Sequence, residues 1–128
     1  MCFGLKIVIK NLLDIDNLNI KFFSDQEIVD AVRNVSITLR SGEVLGIVGE
    51  SGAGKSTIGN AIINLLDAPG EIVKGKVMFE GQNLVNLDDK AMRIIRGKKI
   101  GMIFQDPQTS LNPIMTIGNQ LIETIKFI

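Results

Sequence analysis

The sequence predicts an α/β fold, and three neighbouring features predict it. Residues 44–48 form a short and almost continuous apolar run, as in a strand buried on both faces. A glycine-rich segment follows at residues 49–57. Apolar residues then recur at the spacing of one helix face, at Ile58, Ile62, Leu65 and Leu66. A strand, a tight loop and a helix in this order are the building unit of α/β folds.

Bulk composition narrows the class of protein. The chain has 128 residues, the length of a single domain, and 45% of them are hydrophobic, which argues against disorder. Lys and Arg total 14, as do Asp and Glu, so no charge excess attracts nucleic acid or an anionic membrane. The single cysteine, Cys2, cannot form an internal disulfide, which favours a reducing, cytoplasmic location. No apolar run approaches the roughly 18 residues that span a bilayer.

The segments before the glycine-rich loop predict two strands. Residues 1–10 are interpreted as an N-terminal extension, since Lys6 interrupts their apolar run and no cleavage site for a signal peptide follows. Residues 12–23 and 31–39 both alternate in the pattern of a half-buried strand. Ser41 and Gly42 then turn the chain towards the apolar run.

The segments after the loop predict two more strands and two more helices. The first helix is expected to stop at Pro69-Gly70, and residues 72–79 return to strand alternation. Asp88 or Asp89 can cap a second helix, with Gly97 as its C-terminal cap glycine. Residues 100–104 are a second short apolar strand. A third helix follows, with Ile117, Leu121, Ile125 and Ile128 on one face, and the sequence looks cut because no stop signal ends it.

The glycine-rich loop carries the strongest chemical signal. Residues 49–57 read GESGAGKST and satisfy the phosphate-loop pattern G-x-x-x-x-G-K-[ST]. Gly49, Gly52 and Gly54 let backbone N–H groups approach a triphosphate, and the following helix adds its N-terminal dipole. Lys55 is predicted to reach the β- and γ-phosphates, and the Ser56 hydroxyl to ligate Mg²⁺. A chance glycine-rich turn is much less probable, because a strand precedes the pattern and a helix follows it.

Three other patterns are better explained by structure than by chemistry. Residues 67–70 match the D-x-x-G of GTPases, but no N-K-x-D guanine motif exists, so they are interpreted as a turn ending a helix. The Asp88-Asp89 pair could bind a metal, but helix capping explains it better. A basic cluster at Arg93, Arg96, Lys98 and Lys99 is interpreted as a solvated face, since no Tyr or Trp accompanies it for base stacking.

Three stretches of the chain carry a resemblance to a known family. They read GEVLGIVGESGAGKST at residues 42–57, IRGKKIGMIFQDPQTSLNP at 95–113 and MTIGNQLIE at 115–123. Together they resemble the ATPase subunits of ABC transporters, and more narrowly those of oligopeptide and dipeptide importers. The resemblance implies an antiparallel β-subdomain followed by the start of a RecA-like core, so residues 11–128 would be the N-terminal half of a nucleotide-binding domain.

The resemblance also implies roles for individual residues. Phe22 takes the place of the aromatic that stacks on adenine, although Phe23 is a competitor and either could be a core residue. Gln105 takes the place of the Q-loop glutamine, which touches Mg²⁺ or the attacking water, and its alternative is a polar residue that ends a strand. Residues 106–113 would lie near the groove for the transporter's coupling helix. ATP would contact Phe22, Gly49, Glu50, Ser51, Gly52, Ala53, Gly54, Lys55, Ser56, Thr57 and Gln105, with Lys55 and Gln105 catalytic and Ser56 and Gln105 on Mg²⁺.

The chain also departs from the family pattern. It contains no histidine, no Ser-Gly-Gly signature and no apolar strand ending in Asp-Glu, all of which the family uses in hydrolysis. A phosphate loop without these groups should catalyse phosphoryl transfer poorly. Three functional interpretations therefore stay open: the ATPase subunit of an importer, another P-loop enzyme such as a kinase or GTPase, and a remnant that binds nucleotide without turnover.

The importer interpretation implies partners and a location. They are transmembrane permease subunits, a second ATPase subunit and, indirectly, an extracytoplasmic solute-binding protein, with no nucleic acid. The protein would lie in the cytoplasm, on the inner face of the cell membrane. The solute, a peptide, nickel or another small molecule, does not follow from these residues.

Overall fold

The computed structural model describes residues 11–105 and 111–127. The chain divides into two compact units, residues 1–87 and 88–128. The predicted N-terminal extension, most of the segment predicted near the coupling helix, and Ile128 lie outside the described residues. No helix within the described ranges is long and apolar enough to cross a membrane.

The first unit is built on an antiparallel sheet. Strand β1 (Asn11–Phe23) lies between β2 (Ile28–Arg40) and β3 (Gly70–Phe79). The two-residue β4 (Gln82–Asn83) pairs with β3 on its other side. The predicted strands at 12–23, 31–39 and 72–79 are confirmed, and so is the antiparallel β-subdomain. The buried residues of the sheet are Ile15, Leu18, Ile20, Val32, Val77 and Phe79, all apolar. Each such side chain contributes roughly 1.5–3 kcal/mol by leaving water.

A β-bulge fixes the register between β1 and β3. Asp16 pairs with Lys76 and Asn19 pairs with Lys74, so two residues of β1 oppose Gly75 alone. Asn17 has φ 50°, Gly75 has φ +106°, and a Cβ on Gly75 would lie 2.6 Å from the Asn17 oxygen. Only glycine can take this position, because any side chain would overlap the backbone of the bulge.

Helix α1 (Lys55–Ile62) is shorter than predicted. It ends at Ile62, and Asn64 follows in the left-handed conformation with a φ of 52°. The bonds from Asn64 N–H to the Ala61 oxygen and from Leu65 N–H to the Asn60 oxygen form a Schellman cap. The expectation that the helix continues to Pro69-Gly70 was therefore wrong. Asparagine tolerates the left-handed conformation and ended the helix earlier.

The two predicted apolar strands at 44–48 and 100–104 are not formed in the structure. Val44 and Val48 are 97% and 98% exposed, and Ile103 is 98% exposed. A strand needs neighbours for its N–H and C=O groups, and within the described residues the sheet β2-β1-β3-β4 contains neither segment. The apolar pattern therefore identified two segments with the composition of strands buried on both faces. It did not identify neighbouring strands that would pair with them.

Within its described residues, the second unit contains two helices, α2 (Asp89–Lys98) and α3 (Ile117–Phe127). Asp88 caps α2 as predicted, because its Oδ1 accepts a 2.8 Å hydrogen bond from Ala91 N–H. Gly97 is not the cap glycine. The helix continues past it, and Lys99 N–H bonds to the Ile95 oxygen at 2.8 Å without a left-handed residue. Residues 84–86 of the first unit form a single 3₁₀ turn.

Asp89 makes a pH-dependent contribution to the stability of the fold through its ion pairs in α2. Its carboxylate accepts hydrogen bonds from Arg93 at 2.9 Å and Arg96 at 3.1 Å. The Arg96 hydrogen bond first, and the charge of Arg93 second, lower the pKa of Asp89 below its ordinary value. Since the folded pKa is the lower one, this pairing stabilises the fold above the unfolded pKa and is lost as the pH falls through the folded pKa.

We expect Arg96→Gln to raise the pKa of Asp89 towards its ordinary value, because the substitution removes the largest cause of the shift. A carbon-detected NMR titration of the Asp89 carboxylate measures this directly. Lys98→Gln on the same helix is the control and should leave the titration unchanged, since Lys98 is not a partner of Asp89. An identical Asp89 titration in the Arg96→Gln variant would contradict the assignment.

Candidate nucleotide-binding site

The predicted phosphate loop is a tight turn that leads into α1. Ala53 N–H bonds to the Glu50 oxygen at 3.2 Å, which closes the turn. Gly52 and Gly54 have φ of +81° and +80°, conformations that glycine adopts without strain. Gly54 is the N-terminal cap of α1, and Ile58 N–H bonds to its oxygen at 3.0 Å. Two of the three glycines predicted for close backbone approach, Gly52 and Gly54, therefore occupy positions that require glycine, whereas Gly49 has no positive φ.

Lys55 folds back over the loop. Its Nζ donates to the Gly49 oxygen at 2.7 Å and to the Glu50 oxygen at 2.5 Å. A Cβ on Gly49 would lie 3.8 Å from Lys55 Cδ and 3.4 Å from Ala53 Cβ, so the loop closes tightly around the lysine stem. The ammonium is thus held beside the backbone that would surround a phosphate, with carbonyls as its partners.

The N-terminus of α1 favours an anion. A helix leaves its first N–H groups without intrahelical partners, and their dipoles give this end a partial positive charge. Gly54 supplies no side-chain cap, and the first turn carries no acidic residue that would neutralise this charge. Ser51 and Ser56 are exposed and Thr57 is half-buried. The Ser56 hydroxyl is therefore available to a ligand at the start of the helix.

One glycine of the loop, Gly54, lies against the sheet. A Cβ on Gly54 would lie 2.5 Å from the Ala31 oxygen and 3.2 Å from Val32 Cγ2, so the Gly54 backbone is in direct contact with β2. Val32 is 4% exposed. The alternation at residues 31–39 predicted a half-buried strand but not this contact, because strand alternation reports burial and not the identity of the neighbour.

Phe22 lies near the end of β1, paired with Val29 of β2 and Gly70 of β3. The ring is half-buried, and its Cε1 lies 2.8 Å from where a Cβ on Gly70 would be. Phe23 is 38% exposed. Val29, the partner of Phe22, lies three residues before Val32, which is beside Gly54 of the loop. Strand β2 therefore runs from the neighbour of Phe22 to the neighbour of the loop. The adenine-stacking role of Phe22 stays a prediction.

Gln105 belongs to the second unit, where it lies at a bend with an exposed side chain. It does not end a strand, since residues 100–104 are irregular. Its roles on Mg²⁺ and the attacking water also stay predictions. Within the described residues, no group of three or more His, Cys, Asp or Glu side chains is arranged to hold a metal ion.

Comparison with known proteins adds independent evidence. A family model described as ABC transporter matches residues 32–126. The oligopeptide transport ATP-binding protein OppD of Haemophilus influenzae is 50% identical over 115 residues, which are 90% of this chain and 35% of that protein. OppD of Bacillus subtilis is 48% identical over 93% of this chain and 34% of its own length. The dipeptide transport ATP-binding protein DppD of Escherichia coli is 45% identical over 90% of this chain and 35% of its own length.

Solved structures show the same relationship. The dimeric structure of a bacterial ABC transporter cassette superposes with a TM-score of 0.77 at 31% identity, over 90% of this chain and 47% of that one. A second structure of that cassette, with the same statistics, holds ADP and Pi. This chain thus spans about a third of the curated relatives and about half of the solved cassette. The family match, the relatives and the fold confirm the resemblance seen in the sequence, and the chain belongs to the ABC transporter family of ATPases.

Proposed function

We propose that this chain is the ATP-binding portion of the ATPase subunit of an ABC importer for peptides. The observation that carries the proposal is the phosphate loop, in which Lys55 donates hydrogen bonds to the Gly49 and Glu50 carbonyls. The loop leads into a helix whose first turn carries no acidic residue. A triphosphate would offer Lys55 stronger, charged acceptors than these neutral carbonyls. The peptide class is supported by the names of the oligopeptide and dipeptide relatives.

The residues of the loop divide the work of binding. Backbone N–H groups of residues 49–57 hold phosphate oxygens, and Lys55 neutralises the charge that builds up on the β- and γ-phosphates. We carry over from the family resemblance that Ser56 and Gln105 contact Mg²⁺, an ion that would supply further charge neutralisation. Phe22 stacks on the base, and Gln105 orients the attacking water. Lys55 and Gln105 are the two residues of this chain that we assign to catalysis.

Efficient turnover requires more than these residues. The family's signature, its Asp-Glu strand and its switch histidine have no counterpart in the 128 residues. We therefore assign ATP binding to this chain and expect appreciable hydrolysis only where those groups are supplied. The partners we propose are permease subunits, a second ATPase subunit and, indirectly, an extracytoplasmic solute-binding protein. Their assembly would place the chain at the cytoplasmic face of the membrane.

Uptake in cells tests the importer assignment. Deleting the gene should abolish the uptake of a labelled di- or oligopeptide, and reintroducing it should restore that uptake. Uptake of labelled nickel, measured in the same strains, should not change. Unchanged peptide uptake in the deletion strain would overturn the peptide assignment. A loss of nickel uptake alone would assign nickel as the solute in place of a peptide.

The aromatic role can be assigned with two neighbouring variants. We expect Phe22→Ala to weaken ATP binding by roughly tenfold or more, because base stacking on an aromatic side chain contributes about 1–3 kcal/mol. Phe23→Ala is the matched control, since it removes the same side chain one residue away, and it should change ATP affinity little. Titration with a fluorescent ATP analogue measures both affinities. A loss confined to Phe23→Ala would move the adenine contact to Phe23.

A further inference from the structure

We propose that Val32 of β2 is a positioning residue for the phosphate loop. Its side chain, together with the Ala31 carbonyl, supports Gly54 and so sets the direction of the N–H groups at the start of α1. The inference rests on the proposed ATP binding. It concerns a residue outside the loop that has no predicted contact with the nucleotide.

The contact is specific to one glycine of the loop. Gly54 lies against the Ala31 oxygen and Val32 Cγ2, at 2.5 Å and 3.2 Å from its notional Cβ. Gly52 has nearly the same φ, +81° against +80°, yet nothing lies within 4 Å of its notional Cβ. Gly49 is close only to the loop's own residues Ala53 and Lys55. Among these three glycines, Gly54 is therefore the one through which the sheet supports the loop.

Val32 is well fixed for this role. It is 4% exposed and pairs across the sheet with Ile20, which is fully buried. A β-branched side chain has few rotamers, so its methyl groups form a stiff surface. Gly54, which rests on that surface, is the N-terminal cap of α1 and accepts the first hydrogen bond of the helix from Ile58. A shift of Gly54 would therefore turn the N–H groups that face the phosphates.

The same strand also reaches the other end of the proposed site. Val29, three residues before Val32, pairs with Phe22, and a strand rises about 3.3 Å per residue. Residues 29–32 thus connect the loop to the aromatic over about 10 Å of one strand. Truncating Val32 loosens the loop side of this connection and leaves the pairing of Phe22 in place. The predicted defect is therefore in phosphate binding.

The test compares two valine truncations in the same sheet. Val32→Ala and Val77→Ala both remove two methyl groups from a buried valine, but Val77 pairs with Ile15 and is not among the atoms nearest Gly54. We expect both variants to lower the thermal midpoint by similar amounts. We expect only Val32→Ala to weaken the binding of ATP and of inorganic tripolyphosphate, each by about tenfold. Affinities are measured below the midpoints of both variants.

A third variant keeps the test decisive if Val32→Ala unfolds. Val32→Thr preserves the branched shape that Gly54 contacts, so it should lose stability but keep an affinity within about twofold of the unsubstituted protein. Equal weakening by Val32→Ala and Val77→Ala, or tenfold weakening by Val32→Thr, would overturn the positioning role. If the unsubstituted protein does not bind ATP, the proposed function itself fails. If it binds and Val32→Ala binds equally well, only this inference fails.

Discussion

Replacing Lys55 with alanine is expected to reduce ATP affinity at least a hundredfold and to abolish transport in cells. The Lys55 ammonium is poised over the loop by the Gly49 and Glu50 carbonyls, and a triphosphate would replace those acceptors with charged oxygens. Hydrogen bonds between charged groups contribute about 1.5–3 kcal/mol each, so two lost contacts correspond to a factor of a hundred or more. Calorimetric titration with Mg·ATP measures the affinity.

Lys74→Ala is the matched control for Lys55→Ala. Lys74 is an exposed lysine on β3, paired with Asn19 of β1 and outside the loop, so its removal changes the net charge equally. We expect it to bind ATP as the unsubstituted protein does. Comparable ATP affinity in the Lys55→Ala and Lys74→Ala variants would contradict the phosphate-binding assignment. Undiminished peptide uptake with Lys55→Ala in the chromosomal gene would contradict the proposed role in transport.

Replacing Gly75 with alanine is expected to cause the largest loss of stability in the sheet, about 3 kcal/mol or more. The added Cβ would lie 2.6 Å from both the Asn17 oxygen and Leu18 Cα. These are backbone atoms, so no side-chain rotation relieves the overlap. The φ of +106° adds strain for any residue with a Cβ. Chemical denaturation of the protein measures the free energy of unfolding.

Gly81→Ala separates the two causes. Gly81 has a similar positive φ of +86°, but nothing lies within 4 Å of its notional Cβ. The strain alone should reduce the free energy of unfolding by about 1–2 kcal/mol. The excess loss in Gly75→Ala then measures the overlap with the bulge of β1. Equal losses at the two positions would show that the bulge does not hold Gly75 as tightly as the structure indicates.

The sequence predicted best those elements whose signals are local. Alternation located β1, β2 and β3, and the phosphate-loop pattern located the turn that leads into α1. Asp88 marked the start of α2 because a capping residue acts on its own helix. The same reasoning failed at the end of α1, since the left-handed Asn64 took precedence over the more prominent Pro69-Gly70 signal.

Features that depend on distant parts of the chain were not predictable from local patterns. The apolar runs at 44–48 and 100–104 have the composition of buried strands, but pairing depends on neighbours that no local pattern supplies. The support of Gly54 by Ala31 and Val32 likewise joins residues more than 20 positions apart. A pattern of period two indicates which residues are buried and leaves open which element they contact.

A structure of the protein with Mg²⁺ and a non-hydrolysable ATP analogue would show directly whether residues 49–57 bind the triphosphate. The phosphate-binding assignment predicts the triphosphate within residues 49–57, with the Lys55 ammonium moved from the Gly49 and Glu50 carbonyls to the β- and γ-phosphates. A nucleotide bound elsewhere, with Lys55 still on those carbonyls, would contradict it. So would a site that stays empty at saturating nucleotide concentration.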